Sequence, residues 1–334
     1  MRAIAEFQGV DRRRFLGEIR PLGQPAVLRG LAASWPAVQT AARSADQLCS
    51  YLKQFQTGRP VSVLIGPPEI EGRFFYRDDL TGLNFTRGSS SLDVFLDQLL
   101  ADRDNPRPHA AAVQSEPVPD LLPGFREAND TDLVDLDAIP RAWIGNRVRV
   151  APHYDLRENI GVVVGGRRRF TLFPPEQVAN LYPGPFELTP AGTPISMVDP
   201  AAPDLRRFPR FTEAMNAAQT AELGPGDAIY IPYHWWHAVD SLDRVNLLVN
   251  YWWNPALPGL GRPYAVLLHA LYGLRHLPPD QRAVWRTMFD HYVFGANGDP
   301  AAHLPPHAQG VLGPPTPQQL EQMRAIMKQV LASL

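Results

Sequence analysis

The chain has 334 residues, a net charge of −2 at pH 7, and 45% hydrophobic against 20% charged residues. This is the balance of an ordinary globular protein, and the near-neutral charge does not favour a nucleic-acid-binding role. Residues 1–9 lack the apolar segment of a secretory signal, and no apolar run reaches the length of a membrane-spanning helix. Cys49 is the only cysteine, which excludes an intrachain disulfide and suits a reducing compartment. We therefore expect a cytoplasmic protein without a membrane segment.

The N-terminal third mixes helix and strand patterns. Its strand candidates are residues 25–29, 61–65, 73–76 and 110–114, and its helix candidates are residues 45–55, which carry Cys49, and residues 92–100. A buried structural role is the favoured interpretation of Cys49.

The middle third is rich in short strands. The candidates are residues 147–151, 159–164, 168–173, 218–223, 228–232, 236–241 and 245–252. Short strands of even spacing are typical of an antiparallel barrel or a double-sheet jelly roll. Gly165-Gly166 predicts a hairpin between its flanking strands. Residues 174–211 contain nine prolines and predict a long irregular insertion, which is usually functional or mobile.

The final third is helical, with candidates at residues 264–274, 281–293 and 316–334. Thr316, Pro317 and Gln319 give the last helix a capping box with proline at its first position. We predict a β-rich part, residues 1–257, with a mixed α/β N-terminal region, followed by a helical extension, residues 258–334.

Three residues in two short segments predict a metal site. His153 and Asp155 are two residues apart, so on a strand both side chains point to the same face. His237 follows a distant strand candidate and would complete a set of two imidazoles and one carboxylate. Such a set is the facial triad of non-heme Fe(II) oxygenases, which leaves coordination positions open. A lone His-x-Asp is weak evidence by itself, and His237 beside Trp235 and Trp236 could also be a packed core histidine.

Residues 143–253 resemble the JmjC-type, cupin-like oxygenases. The matching segments are His153-Tyr154-Asp155, residues 169–177, residues 225–232 and Trp235-Trp236-His237. The nearest subgroup contains the asparaginyl hydroxylase called factor inhibiting HIF. The resemblance implies a mainly β fold with flanking helices around a double-stranded β-helix, a jelly roll. It also implies a dioxygenase using Fe(II), 2-oxoglutarate and O2 to hydroxylate a C–H bond of a protein side chain or small molecule.

The resemblance also implies co-substrate contacts. In the family a basic residue, commonly lysine, binds the far carboxylate of 2-oxoglutarate, and Arg168 is the matching position here. A guanidinium can bind a carboxylate in a two-pronged fork. On a strand, the side chain of Arg168 points to the face opposite to that of Arg167 and Arg169. The alternative is that the three arginines form a solvated basic run. Asn159 and Asn250 match polar positions near the co-substrate, with a structural asparagine bonded to backbone as the alternative.

At two positions the sequence departs from the family pattern around the far carboxylate of 2-oxoglutarate. Val150 stands where the family often has threonine, and Ala112 stands near the position of its co-substrate-binding tyrosine. Two polar contacts are therefore missing, and Tyr76 or another hydroxyl is the candidate replacement. The other interpretations are a JmjC-type demethylase and a metal-binding cupin without oxygen chemistry.

The last helix candidate carries an apolar stripe that needs a covering surface. Its members are Leu320, Met323, Met327, Val330, Leu331 and Leu334. The stripe could fold back on residues 281–293 or pair with a second chain, as the C-terminal helices do in the subgroup that this chain resembles. We predict the homodimer, since two-fold dimers are the commonest oligomers.

Overall fold

A computed structural model of the chain describes residues 1–256 and 259–332. The strands are β1 (Arg2–Ala3), β2 (Ala5–Gln8), β3 (Ala26–Arg29), β4 (Pro60–Gly66), β5 (Arg73–Phe74), β6 (Thr86–Ser91), β7 (Ala110–Pro117), β8 (Arg141–Gly145), β9 (Arg149–Tyr154), β10 (Glu158–Gly165), β11 (Arg168–Phe173), β12 (Gln219–Leu223), β13 (Ala228–Ile231), β14 (Trp236–Ser241) and β15 (Asn246–Trp253). The helices are α1 (Arg12–Arg14), α2 (Pro36–Ala41), α3 (Ala45–Lys53), α4 (Leu92–Ala101), α5 (Val118–Leu121), α6 (Phe211–Ala217), α7 (Pro263–Gly273), α8 (Pro279–Tyr292) and α9 (Pro317–Ala332).

The strands form two sheets. The six-stranded sheet has the order β1-β12-β11-β14-β9-β5, and the nine-stranded sheet has the order β2-β3-β13-β10-β15-β8-β7-β4-β6. Strands β8 to β15 place four members in each sheet, and the chain changes sheet at most of its connections. This is the double-stranded β-helix, so the predicted mainly β fold with flanking helices is confirmed.

The predicted hairpin at Gly165-Gly166 is wrong. Strand β10 lies in the nine-stranded sheet and β11 in the six-stranded sheet, so these glycines carry the chain from one sheet to the other. Gly166 has a φ of +70°, and a Cβ atom there would lie 2.4 Å from Oδ1 of Asn246. The glycine pair indicated a tight turn correctly, but a turn does not determine which strands pair.

Alternation along β10 separates two hydrophobic clusters. All eight residues of this strand are buried. Ile160, Val162 and Val164 belong to the large cluster that includes helices α2 and α3, whereas Val163 belongs to the cluster between the two sheets. Cys49 lies in the large cluster, and burial raises the pKa of its thiol to about 11. This placement confirms the buried position predicted for Cys49.

Residues 174–211 are mostly irregular, as predicted, but they are tied to β9. The amide of Ser196 donates to the carbonyl of Pro152 at 2.7 Å, and the hydroxyl of Thr193 donates to the carbonyl of Tyr154 at 2.8 Å. Both acceptors flank His153 on β9. The insertion therefore stabilises the strand that carries the predicted metal ligand.

The chain forms two compact units, Met1–Asn254 and Pro255–Leu334. The predicted boundary between residues 257 and 258 falls outside the described residues. Helix α9 begins with the predicted capping box, because the amide of Gln319 donates to the hydroxyl of Thr316 at 3.2 Å and the amide of Thr316 donates to Oε1 of Gln319 at 2.9 Å. Across the described ranges, no helix has the length and apolar character needed to cross a bilayer. The cytoplasmic location stays a prediction.

Candidate metal centre

The structure brings the three predicted ligands together. Strands β9 and β14 pair antiparallel, with His237 directly opposite His153. Asp155 is the first residue after the end of β9, one position beyond Tyr154. One ligand atom from each of His153, Asp155 and His237 lies within 4.8 Å of the other two. Long-range strand pairing thus assembles the set that the two sequence segments suggested.

The backbone fixes the orientation of both imidazoles. Nδ1 of His153 lies 3.0 Å from the carbonyl oxygen of Ala151, and Nδ1 of His237 lies 3.0 Å from that of Trp235. A carbonyl oxygen only accepts, so each Nδ1 carries the hydrogen and each Nε2 keeps its lone pair for a metal. Burial, followed by the nearby His237, lowers the pKa of His153 to about 4, which keeps this imidazole neutral near pH 7.

The carboxylate ligand is held by donors from the opposite sheet. Oδ2 of Asp155 accepts from Nδ2 of Asn159 at 3.1 Å and from the indole N–H of Trp252 at 2.9 Å. Asn250 donates to Oδ1 of Asn159 at 3.0 Å, and the indole N–H of Trp143 donates to Oδ1 of Asn250 at 2.7 Å. This chain of hydrogen bonds fixes the carboxylate relative to the two histidines.

Asn159 and Asn250 do not fit the alternative interpretation of structural asparagines bonded to backbone. Their side chains bond to each other, to Asp155 and to Trp143, so neither amide is a purely backbone-bonded structural asparagine. A direct contact between either amide and 2-oxoglutarate stays a prediction. The observed bonds give both residues a role in orienting the metal-binding carboxylate.

Trp252 is a residue whose role the sequence interpretation missed. Its indole N–H donates to the carboxylate of Asp155. The available signal was its position two residues after Asn250, because residues i and i+2 of a strand share a face. Trp252 also stands directly opposite Asn159 in the pairing of β10 with β15, so both donors reach Asp155 from adjacent positions.

Arg168 faces the space between the sheets. Its side chain is buried, whereas Arg167 and Arg169 are exposed and pair with Glu222. This confirms the predicted alternation. Nη2 of Arg168 donates to the carbonyl of Trp143 at 3.3 Å, while Nε has no hydrogen-bond partner among the described residues. Burial lowers the pKa of Arg168 to about 10, so the side chain stays a cation near pH 7.

The structure does not place Tyr76 beside this cation. Tyr76 packs with Ala151 and Ile195, in a cluster separate from the one between the sheets. Ala112 is buried with Val148 and supplies no polar atom. Tyr76 as the replacement for the missing polar contacts stays a prediction.

The sequence profile of the cupin-like domain family matches residues 12–257, which is most of the chain. The chain belongs to this family. The match covers the whole double-stranded β-helix and the three clustered ligands. It supports the broad JmjC-type resemblance, while the narrower asparaginyl hydroxylase subgroup stays a prediction.

Three curated relatives show how far the similarity extends. The chain is 41% identical over 114 residues to human HSPB1-associated protein 1, covering 33% of this chain and 22% of the relative. It is 36% identical over 113 residues to lysine-specific demethylase JMJ31 of Arabidopsis thaliana, covering 34% and 20%. It is 26% identical over 241 residues to lysine-specific demethylase 8 of Xenopus tropicalis, covering 69% and 48%. The chain thus spans between a fifth and a half of the length of these relatives.

Proposed function

We propose that this chain is an Fe(II)- and 2-oxoglutarate-dependent dioxygenase that hydroxylates a C–H bond. The observation that carries the proposal is the meeting of His153, Asp155 and His237, with both Nε2 lone pairs left free by the Nδ1 contacts. Two neutral imidazoles and one carboxylate form the donor set of non-heme Fe(II) oxygenases. A purely structural zinc site would instead use four protein ligands.

The buried cation supports 2-oxoglutarate as the co-substrate. A guanidinium removed from water without a carboxylate partner is costly, and Arg168 has no ion-pair partner among the described residues. A ligand carboxylate would supply that partner in a two-pronged contact. A metal-binding cupin without oxygen chemistry gives no reason to bury such a cation between the sheets.

Each residue of the site has a separate role in the proposed reaction. When bound, Fe(II) would supply O2 activation coupled to oxidative decarboxylation of 2-oxoglutarate. His153, Asp155 and His237 would hold the metal, and Arg168 would hold the far end of the co-substrate. Asn159 and Trp252 keep the carboxylate in one orientation. The apolar cluster between the sheets excludes water from the reacting groups.

The prime substrate is proposed to be a protein side chain or a small molecule. Two of the relatives are named as lysine-specific demethylases, which makes removal of an N-methyl group the second candidate. Both reactions begin with oxidation of a C–H bond, so the same metal centre serves either one. The products distinguish them, because hydroxylation leaves one added oxygen atom and demethylation releases formaldehyde.

Turnover of 2-oxoglutarate to succinate by the full chain with Fe(II) tests the proposal. Asp155→Ala should abolish turnover and Fe(II) binding, because two histidines alone leave too few anchors. The matched control is Asp137→Ala, which removes an exposed carboxylate that does not belong to the cluster of three ligands. Full turnover in Asp155→Ala would refute the metal assignment. Peptides and metabolites can then be screened for a mass gain of one oxygen atom and for formaldehyde.

The C-terminal extension, proposed as residues 258–334, is assigned to homodimer formation. Met323, Met327 and Leu331 of α9 are exposed, and so are Val284 and Trp285 of α8. The alternative, in which the stripe of α9 is covered by α8 of the same chain, would not leave these side chains exposed, and their exposure favours cover by a second copy. Leu334 of the predicted stripe lies outside the described residues. A cytoplasmic location is part of the same proposal.

A further inference from the structure

Six buried side-chain atoms have no hydrogen-bond partner among the described residues. They are Nη2 of Arg73, the hydroxyl of Tyr76, Nε of Arg168, Nε2 of His234, Oγ of Ser241 and Oδ1 of Asn246. Buried polar atoms are nearly always bonded, so each such atom indicates a missing partner. Two of them, Nε of Arg168 and Oγ of Ser241, belong to directly paired residues, although they are not bonded to each other in this structure.

The strand register places Ser241 on the face of the metal centre. In the β11–β14 pair, Leu172 stands opposite His237 and Arg168 stands opposite Ser241. Ser241 is four residues after His237, so both side chains point between the sheets. Directly opposed residues have Cβ atoms about 5 Å apart, which puts the hydroxyl of Ser241 beside the stem of the Arg168 side chain.

The distance along the strand decides what the hydroxyl can touch. His237 and Ser241 are four residues apart on the strand, which is about 13 Å, and the short serine side chain cannot reach far towards the metal ligands. A 2-oxoglutarate molecule that chelates a metal at His237 would end before it reached Ser241. The side chain of Arg168 is longer and already extends across the interior to the carbonyl of Trp143 on the other sheet, so its guanidinium has the length to meet the co-substrate. Any effect of Ser241 on the co-substrate must therefore pass through Arg168.

We propose that Ser241 is a positioning residue for 2-oxoglutarate: when the co-substrate binds, the two side chains rotate so that the hydroxyl of Ser241 accepts the Nε–H of Arg168 and the outer edge of the guanidinium points at the co-substrate carboxylate. The inference rests on the proposed function. Val150 and Ala112 stand where the family has polar side chains that contact the co-substrate carboxylate. A guanidinium held in one orientation would offset the loss of those two contacts. The proposed bond also explains why arginine suits this position, because the single terminal nitrogen of a lysine has no Nε–H to spare for such a bond.

The test measures binding rather than turnover. Titration calorimetry on the full chain gives the Kd of Mn(II), then the Kd of 2-oxoglutarate and of pyruvate for the Mn(II)-loaded protein without O2. Pyruvate is a 2-oxo acid with no distal carboxylate. Ser241→Ala should weaken 2-oxoglutarate binding about 3- to 10-fold, the worth of one hydrogen bond. The affinities for Mn(II) and pyruvate should not change, and Ser241→Thr should restore tight binding.

Two further variants separate positioning from packing. Thr171→Ala removes a buried hydroxyl from the opposite face of β11 and should leave all three affinities unchanged. In an Arg168→Ala background, Ser241→Ala should have no additional effect, since the two residues act as one unit. Equal weakening by Ser241→Ala with and without Arg168 would overturn the inference.

The outcomes also separate this inference from the proposed function. Wild-type protein that binds Mn(II) but not 2-oxoglutarate would overturn both. Wild-type binding that Ser241→Ala leaves unchanged would overturn the role of Ser241 alone.

Discussion

Replacing Arg168 by methionine should make the ligand-free protein more stable and the co-substrate complex weaker. Methionine fills a similar length of interior with apolar atoms and removes the buried charge. Burial lowers the pKa of Arg168 to about 10, more than two pH units below the ordinary value of a guanidinium. A tenfold change in an equilibrium corresponds to about 1.4 kcal/mol, so the buried charge costs the folded state roughly 3 kcal/mol near pH 7. This cost is an upper bound on the gain in stability.

The sign of this effect follows from the direction of the pKa. A basic group whose pKa is lower in the folded state binds its proton less tightly there than in the unfolded chain. Near pH 7 the group is charged in both states, so the full penalty acts against folding. Removing the charge relieves that penalty, as replacement of buried charges by well-packed apolar groups often does.

The co-substrate should respond in the opposite direction. A hydrogen bond to a charged group contributes about 1.5–3 kcal/mol, so Arg168→Met should raise the Kd of 2-oxoglutarate roughly 10- to 150-fold. Affinity for Mn(II) should stay nearly unchanged, because Arg168 is not a metal ligand. Calorimetry and thermal unfolding of the same samples measure both quantities.

Arg167→Met is the matched control. Arg167 is exposed and bound to Asp243 and Glu222, so its loss should alter neither the stability of the fold by more than about 1 kcal/mol nor the Kd of 2-oxoglutarate. A strong loss of affinity in Arg167→Met, with none in Arg168→Met, would refute the assignment of the carboxylate contact. Reduced stability of Arg168→Met would refute the reasoning about the buried charge.

Two other predictions concern the neighbours of the site and the assembly. Trp252→Phe keeps an aromatic ring but removes the N–H that contacts Asp155. The affinity for Mn(II) should fall about 10-fold or more, as is typical when a hydrogen-bond partner of a metal ligand is lost. Trp235→Phe is the control and should bind Mn(II) normally, because the contact of its backbone carbonyl with His237 is retained. Light scattering should show a dimer for the full chain and a monomer for a Leu320→Glu, Leu331→Glu double variant, whereas a wild-type monomer at tens of micromolar would leave only packing within the chain.

Most of the secondary structure of the barrel could be read from local patterns. Each predicted strand from β9 to β15 exists within a few residues of its expected bounds, because short apolar runs between turn residues are a local signal. Strands β1, β2, β6 and β8 were not predicted. The sequence of β6, Thr86–Ser91, is Thr-Arg-Gly-Ser-Ser-Ser and has no apolar alternation, since this strand lies at the edge of its sheet and is mostly exposed.

The sequence by itself placed His153 and Asp155 on one face and turned Arg168 away from Arg167 and Arg169, since both follow from a strand of period two. The choice of His237 as third ligand, and of Arg168 as the inward arginine, came from the family resemblance. Tertiary structure decided everything that depends on pairing. Only the β9–β14 register sets His237 opposite His153, and only the opposite sheet brings Asn159 and Trp252 to Asp155. Local sequence cannot specify such contacts, because strand pairing joins residues that are far apart in the chain and the same turn can lead to either sheet.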